Sequence, residues 1–525
     1  MTDFQAWAPR QPTKPAVIEA ETGRVVTVGE LDQQVQNASQ WLVSLGLQAG
    51  DGIALLMENR SEMIALAMAA RRAGLYYTAV STHLTPPEIE HVLKDSEAKA
   101  VFVSSATVML LQGSETDPSL MRFSVDDKCE GFTPFRAALA GFRPVGMLPE
   151  RPVGRDMLYS SGTTGRPKGI RRPMVAHADR DKPDLEFDGW KRAYGFDEHA
   201  VYLSTAPLYH AAPLRYVVRT LDVGGCCVLM SKFDAEAALA LIEKYQVTHS
   251  QWVPTMFVRL LKLSQEVRDQ YDINSMQVAI HAAAPCPIHV KQAMLDWWGD
   301  VIFEYYAGSE GVGSTVITPQ EWRAHPGSVG RPMAGKLHIV GEDGQDLPPG
   351  EVGKIYFSGV ATFVYHNDVE KTKEAYNEHG WATYGDIGYV DEDGFLYLSD
   401  RRADLILSGG VNVYPQEIEN VLSQHAAVDD VAVVGVPDDD FGEVPKAIVR
   451  LRPPHQPGVE LADELLNFCA DRLSRLKWPR SLVFEESLPR LETGKLLRRV
   501  LKERFRETPN AGYSLRPKQD SRCSS

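Results

Sequence analysis

Cysteine is sparse in this 525-residue sequence. Its six cysteines, Cys129, Cys226, Cys227, Cys286, Cys469 and Cys523, include no Cys-x-x-Cys pair and no partnering histidine spacing. That excludes a disulfide framework and fits thiols kept reduced. No run approaches the roughly 18 consecutive apolar residues a membrane-spanning helix needs, so no transmembrane segment is expected. The opening Met1 to Trp7 lacks a basic stretch followed by an apolar one, and Arg522 to Ser525 is neither a prenylation box nor a peroxisomal tripeptide. A cytoplasmic chain is therefore expected. Positive charge is also in deficit: 55 Lys and Arg against 70 Asp and Glu leave a net charge of -15, which excludes a general nucleic-acid binder. With 44% hydrophobic and 24% charged residues, disorder and fibrous repeats are equally excluded.

At about 150 residues per unit, the length allows three or so structural units and a large core. Up to about residue 150, helical and extended patterns alternate. Leu31 to Leu45 carries apolar positions at helical spacing, Gly52 to Met57 reads as a strand, Met63 to Ala73 as a small-residue helix, and Ala98 to Ser104 as another strand. Such alternation predicts an α/β layered domain with parallel strands.

The chain is organised around Tyr159-Ser-Ser-Gly-Thr-Thr-Gly-Arg-Pro-Lys-Gly169. Gly162 and Gly165 let the backbone approach an anion closely, and exposed N–H groups become donors. Ser160, Ser161, Thr163 and Thr164 add hydroxyls, and Lys168 adds a compact charge behind Pro167. This is a polyphosphate grip but not a Walker loop: five residues after Gly162 stands Pro167, and Gly169 follows Lys168 where Ser or Thr should be. The order of residues resembles the phosphate-loop signature of the adenylate-forming superfamily, which holds acyl-CoA synthetases, luciferases and peptide-synthetase adenylation domains.

Further segments extend the resemblance over nearly the whole chain. Thr205 to Pro213 places His210 where the superfamily has a wall of the acyl pocket. His281-Ala-Ala-Ala-Pro-Cys-Pro287 is similar to the family's Gly-Ala-Ala-Pro-Leu turn, implying that Ala283, Ala284 and Pro285 border the adenine and Ala282 the acyl group; Ala282 replaces the usual Gly, and His281 is unexpected. Tyr306-Ala-Gly-Ser-Glu310 resembles Tyr-Gly-x-Thr-Glu. A flat Tyr306 can stack on a purine, the Ser309 hydroxyl can reach phosphate, and Glu310 can hold Mg²⁺, which prefers carboxylate and phosphate oxygens. Gly308 would border the acyl group. Tyr384-Gly-Asp386 resembles the family's Thr-Gly-Asp, implying that Asp386 accepts from both ribose hydroxyls.

Ser399 to Glu419 is similar to the superfamily's hinge signature. By that likeness Arg401 bridges ribose and phosphate, Ser408, Gly409 and Gly410 let pantetheine pass, and the pivot falls at Ala403, where the family often has Asp or Lys. Pro415 suits the first turn of a helix. Val431 to Val436 and Lys446 to Leu451 read as strands, and Leu461 to Leu476 as a helix. Leu488 to Arg499 matches the family's Pro-Arg-x-x-x-Gly-Lys motif and implies that Lys495 is catalytic, with Lys168 and Arg401.

The expectation is thus an α/β chain with a large N-terminal adenylation domain over 1–400, a hinge at 401–403, a small mobile α+β domain over 404–507, and a disordered tail over 508–525. Its expected chemistry is that of an AMP-forming acyl-CoA synthetase using ATP, Mg²⁺ and CoA, with a homodimer possible by analogy. The small residues Ala211, Ala212, Ala282, Ala283, Ala284 and Gly308 suggest a roomy pocket with no fixed charge, hence an apolar monocarboxylate: a fatty acid first, an aryl or steroid-type acid second. The rivals are loading of a carrier protein, a luciferase-like oxygenase, and a catalytically dead nucleotide sensor, which would tend to have lost Lys495, Glu310 or Arg401.

Overall fold

The computed structural model describes residues 4–514 apart from 113–116, 128, 144–147, 160–166, 402–403, 409–410, 439–440, 471 and 492–495, and the backbone alone of 400, 401, 411, 412 and 476. Its centre is a nine-stranded sheet in the order Arg331–Ala334, Ser314–Ile317, Ile302–Ala307, Val278–His281, His249–Trp252, Val201–Ser204, Cys226–Leu229, Pro15–Glu19, Val25–Thr27. From Ile302–Ala307 to Pro15–Glu19 the neighbours are parallel. A second, wholly parallel sheet runs Thr133–Pro134, Met121–Ser124, Ala98–Val103, Gly52–Leu56, Tyr76–Ala79, Arg155–Asp156. Strands covered by helices on both faces need apolar residues throughout; Gly52–Leu56 and Cys226–Leu229 are buried at every position.

The helices begin and end where local chemistry dictates. Thr27 and Glu30 form a capping box that starts Val28–Ser44, whose buried Val28, Leu31, Val35, Ala38 and Leu42 make one face. That face packs against Ser61–Ala73, which ends at Gly74 in the left-handed conformation at φ 68°.

Two smaller sheets carry the remaining motifs. In one, Gly169–Arg171 lies between Leu158–Tyr159 and Val364–Tyr365, antiparallel to both, with Tyr159 opposite Gly169. The segment expected to grip phosphate joins those paired residues in sequence. The other sheet runs Lys336–Val340, Gly353–Ser358, Asp386–Val390, Leu396–Arg401 and puts Asp386 opposite Arg401.

The smaller C-terminal domain has its own sheet, Val411–Val413, Ile406–Ser408, Gly442–Leu451, Ser481–Phe484, Tyr513–Ser514, with Val428–Asp438 also paired to Gly442–Leu451. Strand alternation sends Val431 and Val433 to one face, against Ile418, Leu422 and Leu465, and Ala432, Val434 and Val436 to the other, against Leu501 and Phe505. Pro415 opens the helix Pro415–Leu422 as expected. The helix expected over 461–476 runs Val459–Ala470, followed by a short 3₁₀ turn at Arg475–Lys477.

One expectation is corrected here. Residues 508–514 are not a loose tail: Tyr513 and Ser514 pair with Leu482 and Ser481. The buried Lys446 ammonium donates to the carbonyl oxygens of Pro509 (3.1 Å) and Ala511 and to Ser481 Oγ (3.0 Å). A polar tail acquires order when its backbone acceptors satisfy a buried cation.

Candidate active site

Three of the expected motifs meet because of strand direction. His210 and Ala282 to Pro285 follow the C-terminal ends of Val201–Ser204 and Val278–His281, and Tyr306 to Glu310 runs off the C-terminal end of Ile302–Ala307; the three are strands of the same parallel run. In open α/β sheets ligands bind at that edge. His210 is the N-cap of the helix Ala211–Asp222, its ring 4.6 Å from that of Tyr209. Ala282 is buried, whereas Ala283 is exposed and held at φ 76°. A non-glycine residue there is strained, which costs of order 1–3 kcal/mol and marks a shape fixed by its surroundings.

Tyr306 is buried, stacks beside Phe357 and donates from its hydroxyl to Asp386 Oδ2 at 2.6 Å. The nine-stranded sheet is thereby tied to the sheet carrying Asp386. The Tyr365 hydroxyl donates to Glu310 Oε1 at 2.8 Å, and Tyr365 pairs with Ile170 two residues beyond Lys168. Lys168 Nζ donates to Asp368 Oδ2 at 2.9 Å, so the charge expected to face phosphate is held by a carboxylate. The anchors of the grip are polar: Tyr159 hydroxyl to Asp95 Oδ2 (2.7 Å), and His91 Nε2 to the Pro167 carbonyl (3.0 Å). Glu310 is a single carboxylate with its second oxygen not engaged by Tyr365, which suits Mg²⁺, a cation that takes one or two carboxylates and completes its shell with water and substrate phosphates.

Tyr384, standing where the family has Thr, has a structural consequence. Its hydroxyl donates to the Gly313 carbonyl at 2.8 Å, its ring meets Tyr306 edge-on, and a Cβ built on Gly308 would lie 2.3 Å from it. Gly308 is required by that ring. Burial raises the Tyr384 pKa above the ordinary phenol range, so it is a neutral donor.

Some expected residues are not brought to the site or are not described. Ser160, Ser161, Gly162, Thr163, Thr164, Gly165, Ala403, Gly409, Gly410 and Lys495 lie outside the described residues, as does the side chain of Arg401. Ser408 is 1% exposed within a strand, opposite Val411 and Gly442. Ser309 and Gly308 are half-buried at the site, and Ala284 and Pro285 border it.

The sequence reading missed two groups of residues. His281 ends the strand Val278–His281, wholly buried, opposite Glu304, whose Oε2 accepts from Lys291 at 2.6 Å. Burial, then Lys291, pushes the His281 pKa well down and keeps it neutral. Strand alternation, which puts His281 and Glu304 on one face, was the available signal.

The second group is a cluster of charges beside the helix that follows His210. Arg215, one turn into the helix after His210, pairs with Asp156, and Arg172 and Glu186 stand beside them. Tyr305 stacks on Tyr216 with ring centroids 6.2 Å apart and accepts from Gln251 Nε2 at 2.9 Å.

The sequence matches the AMP-binding enzyme family over residues 4–364 and the AMP-binding enzyme C-terminal domain over 417–495. It is 30% identical over 513 residues to a fatty acid–[acyl-carrier-protein] ligase of Streptomyces coeruleorubidus, with 95% of each chain covered. It is 32% identical over 506 residues to a feruloyl-CoA synthase of an Amycolatopsis species, with 92% of this chain and 94% of that one covered. The fold superposes on an anthranilate CoA ligase in complex with anthranoyl-AMP with a TM-score of 0.84 at 26% identity, covering 96% of this chain and 97% of that one. With the two family regions together covering most of its length, the chain belongs to the AMP-binding enzyme family, the adenylate-forming superfamily, as an ATP-dependent, AMP-forming acid–thiol ligase.

Proposed function

We propose that this protein joins a compact, aryl-type carboxylic acid to CoA in two steps through an acyl-adenylate. The observation that carries the reading is the convergence of His210, Ala282 to Pro285, Tyr306 and Glu310 at one sheet edge, with Glu310 linked through Tyr365 to the strand that follows Lys168. In the first step a carboxylate oxygen attacks the α-phosphorus of ATP and pyrophosphate leaves. Both partners are anions, so catalysis consists of alignment and charge neutralisation, and no general base is required. Tyr306 stacks on adenine, Asp386 accepts from the ribose, and Lys168, released from Asp368, turns to phosphate. Glu310 would hold Mg²⁺, which supplies charge neutralisation when bound. Arg401 and Lys495 complete the adenylation site, with Ser160 to Gly165 around the phosphates.

In the second step the CoA thiol attacks the acyl carbon and AMP leaves. The domain beyond the 401–403 hinge swings, withdrawing Lys495 and presenting Ser408 to Gly410 to the pantetheine arm.

The half-buried Tyr305, which stacks on Tyr216, offers an aromatic face that favours a flat, short acid over the long fatty acid suggested by the alanines. Two of the three relatives carry aryl acids in their names, which supports the same choice. The test is AMP release with ATP and Mg²⁺ across aryl and fatty acids, with and without CoA. Turnover that requires CoA and is led by an aryl acid is expected; adenylate that accumulates and is discharged by a carrier protein instead would overturn the CoA assignment.

A further inference from the structure

Three arginines share two carboxylates behind the first turns of the helix Ala211–Asp222. Arg215 Nε donates to Asp156 Oδ2 at 2.6 Å, and Arg219 Nη2 donates to Glu186 Oε1 at 2.5 Å. Arg172 is left with the far oxygens, 3.9 Å from Asp156 Oδ1 and 3.9 Å from Glu186 Oε2, both beyond hydrogen-bond reach. Yet Arg172 is only 9% exposed. Arg215 Nη2 is also buried with no acceptor. Among the described residues the cluster therefore holds one cation in excess and one buried guanidinium nitrogen without an acceptor, an arrangement that an entering anion would relieve.

The charge state agrees. Burial, and then the neighbouring Arg215, bring Arg172 down to about 9. Burial alone would raise Glu186, but Arg219, Arg172 and Arg215 hold it at about 2. The carboxylates are saturated with positive charge while a cation is short of negative charge.

The cluster borders the acid side of the site. A Cβ built on Gly311, the residue after Glu310, would lie 2.8 Å from Arg172 Nη1. Arg215 and Arg219 act electrostatically on the hydroxyl of Tyr305, the neighbour of Tyr306. Arg215 and Glu186 keep 21% and 50% of their side chains exposed, so the cluster is open to solvent on one side.

We propose that the acid activated here carries a second anionic group, a carboxylate, which Arg172 and Arg215 receive at the end of the pocket remote from the reacting carboxylate. The proposal rests on the acid–ligase reading above and replaces the monocarboxylate with a compact dicarboxylic acid. A planar carboxylate can take paired N–H groups from a guanidinium fork, and an acid lacking it would leave those donors buried and unpaired.

The experiment is AMP release with phthalate, isophthalate and terephthalate, and with glutarate and adipate. Each is set against the acid in which a methyl group replaces the second carboxylate. A preference of about 100-fold in kcat/KM for one diacid over its methyl partner is expected. Arg172→Gln and Arg215→Gln should each cut that ratio by about tenfold or more, with Arg172→Lys keeping part of it because the charge remains. A wild-type ratio near one overturns the proposal, whatever the variants do. Equal losses for diacid and methyl partner, with a raised KM for ATP or weaker inhibition by pyrophosphate, would assign the arginines to phosphate and also overturn it. Failure of the ligase reading is separate: neither member of any pair would release AMP.

Discussion

The Tyr306 hydroxyl donates a 2.6 Å hydrogen bond to Asp386 Oδ2, with both side chains buried. One residue is proposed for adenine and the other for ribose, so the bond fixes the spacing between two halves of one nucleoside site. Tyr306→Phe keeps the ring but leaves a buried carboxylate short of a donor, costing about 1–3 kcal/mol of stability. Asp386→Ala removes the ribose acceptor as well. The expected outcome is a fall in kcat/KM for ATP of about tenfold for Tyr306→Phe and about 100-fold for Asp386→Ala, read from AMP release.

Among the described residues Glu310 is held by Tyr365, not by a second acid or a base. Glu310→Gln keeps the hydrogen bond but removes the charge that a hard cation prefers. The Mg²⁺ concentration giving half-maximal AMP release is expected to rise about tenfold in Glu310→Gln and less in Tyr365→Phe, which keeps the carboxylate. An unchanged Mg²⁺ dependence in Glu310→Gln would remove Glu310 from the metal site.

What could be read in the sequence follows from how local each requirement is. The segment around Lys168, the turn Ala282 to Pro285 and the pair Tyr306 and Glu310 are each specified within a few residues, because the phosphate, adenine and metal contacts proposed for them need particular side chains in a fixed order. Buried parallel strands such as Gly52–Leu56 were legible for the same reason, as short apolar runs. The charge cluster was not legible: Asp156, Arg172, Glu186 and Arg215 come from four segments, and each reads alone as a solvated charge. Nor could Tyr513 be placed on a strand, since its partner Leu482 lies 31 residues earlier and two residues make no pattern. The small residues at 211, 212 and 282–284 carried no signal of the stacked rings of Tyr305 and Tyr216, which come from a strand and a helix far apart in sequence.

Lys446 sets a pH dependence. Burial lowers its pKa from 10.5 to about 8. Below about 8 the lysine is protonated in both folded and unfolded chains and contributes no slope. Between about 8 and 10.5 the unfolded chain binds more protons than the folded one, so stability rises with pH across that window. Lys446→Met keeps the length of the side chain without the titration. The unfolding free energy of the natural protein minus that of Lys446→Met, from urea titrations, is expected to increase from pH 8 to pH 10.5. A flat difference would mean that the ammonium is solvated through the Pro509 and Ala511 carbonyls as well as by water.

Gly308 and Tyr384 form a size-matched pair. Gly308 lies outside the positive-φ glycines, so its absence of a side chain reflects space: a methyl group there would stand 2.3 Å from the Tyr384 ring. Gly308→Ala must displace that ring, and with it the bond to Gly313 and the edge contact on Tyr306. Overpacking of this kind costs about 1–3 kcal/mol, or about five- to 100-fold if it falls on the nucleotide site. Tyr384→Thr opens the space but loses the bond that holds the 308–313 turn, so it too should lower activity. The double variant relieves the clash that the first creates, and its loss should be smaller than the sum of the single losses by about 1 kcal/mol or more. Strict additivity in kcat/KM for ATP would show that the ring and the glycine act independently, and that the tyrosine at 384 does not shape the turn carrying Glu310.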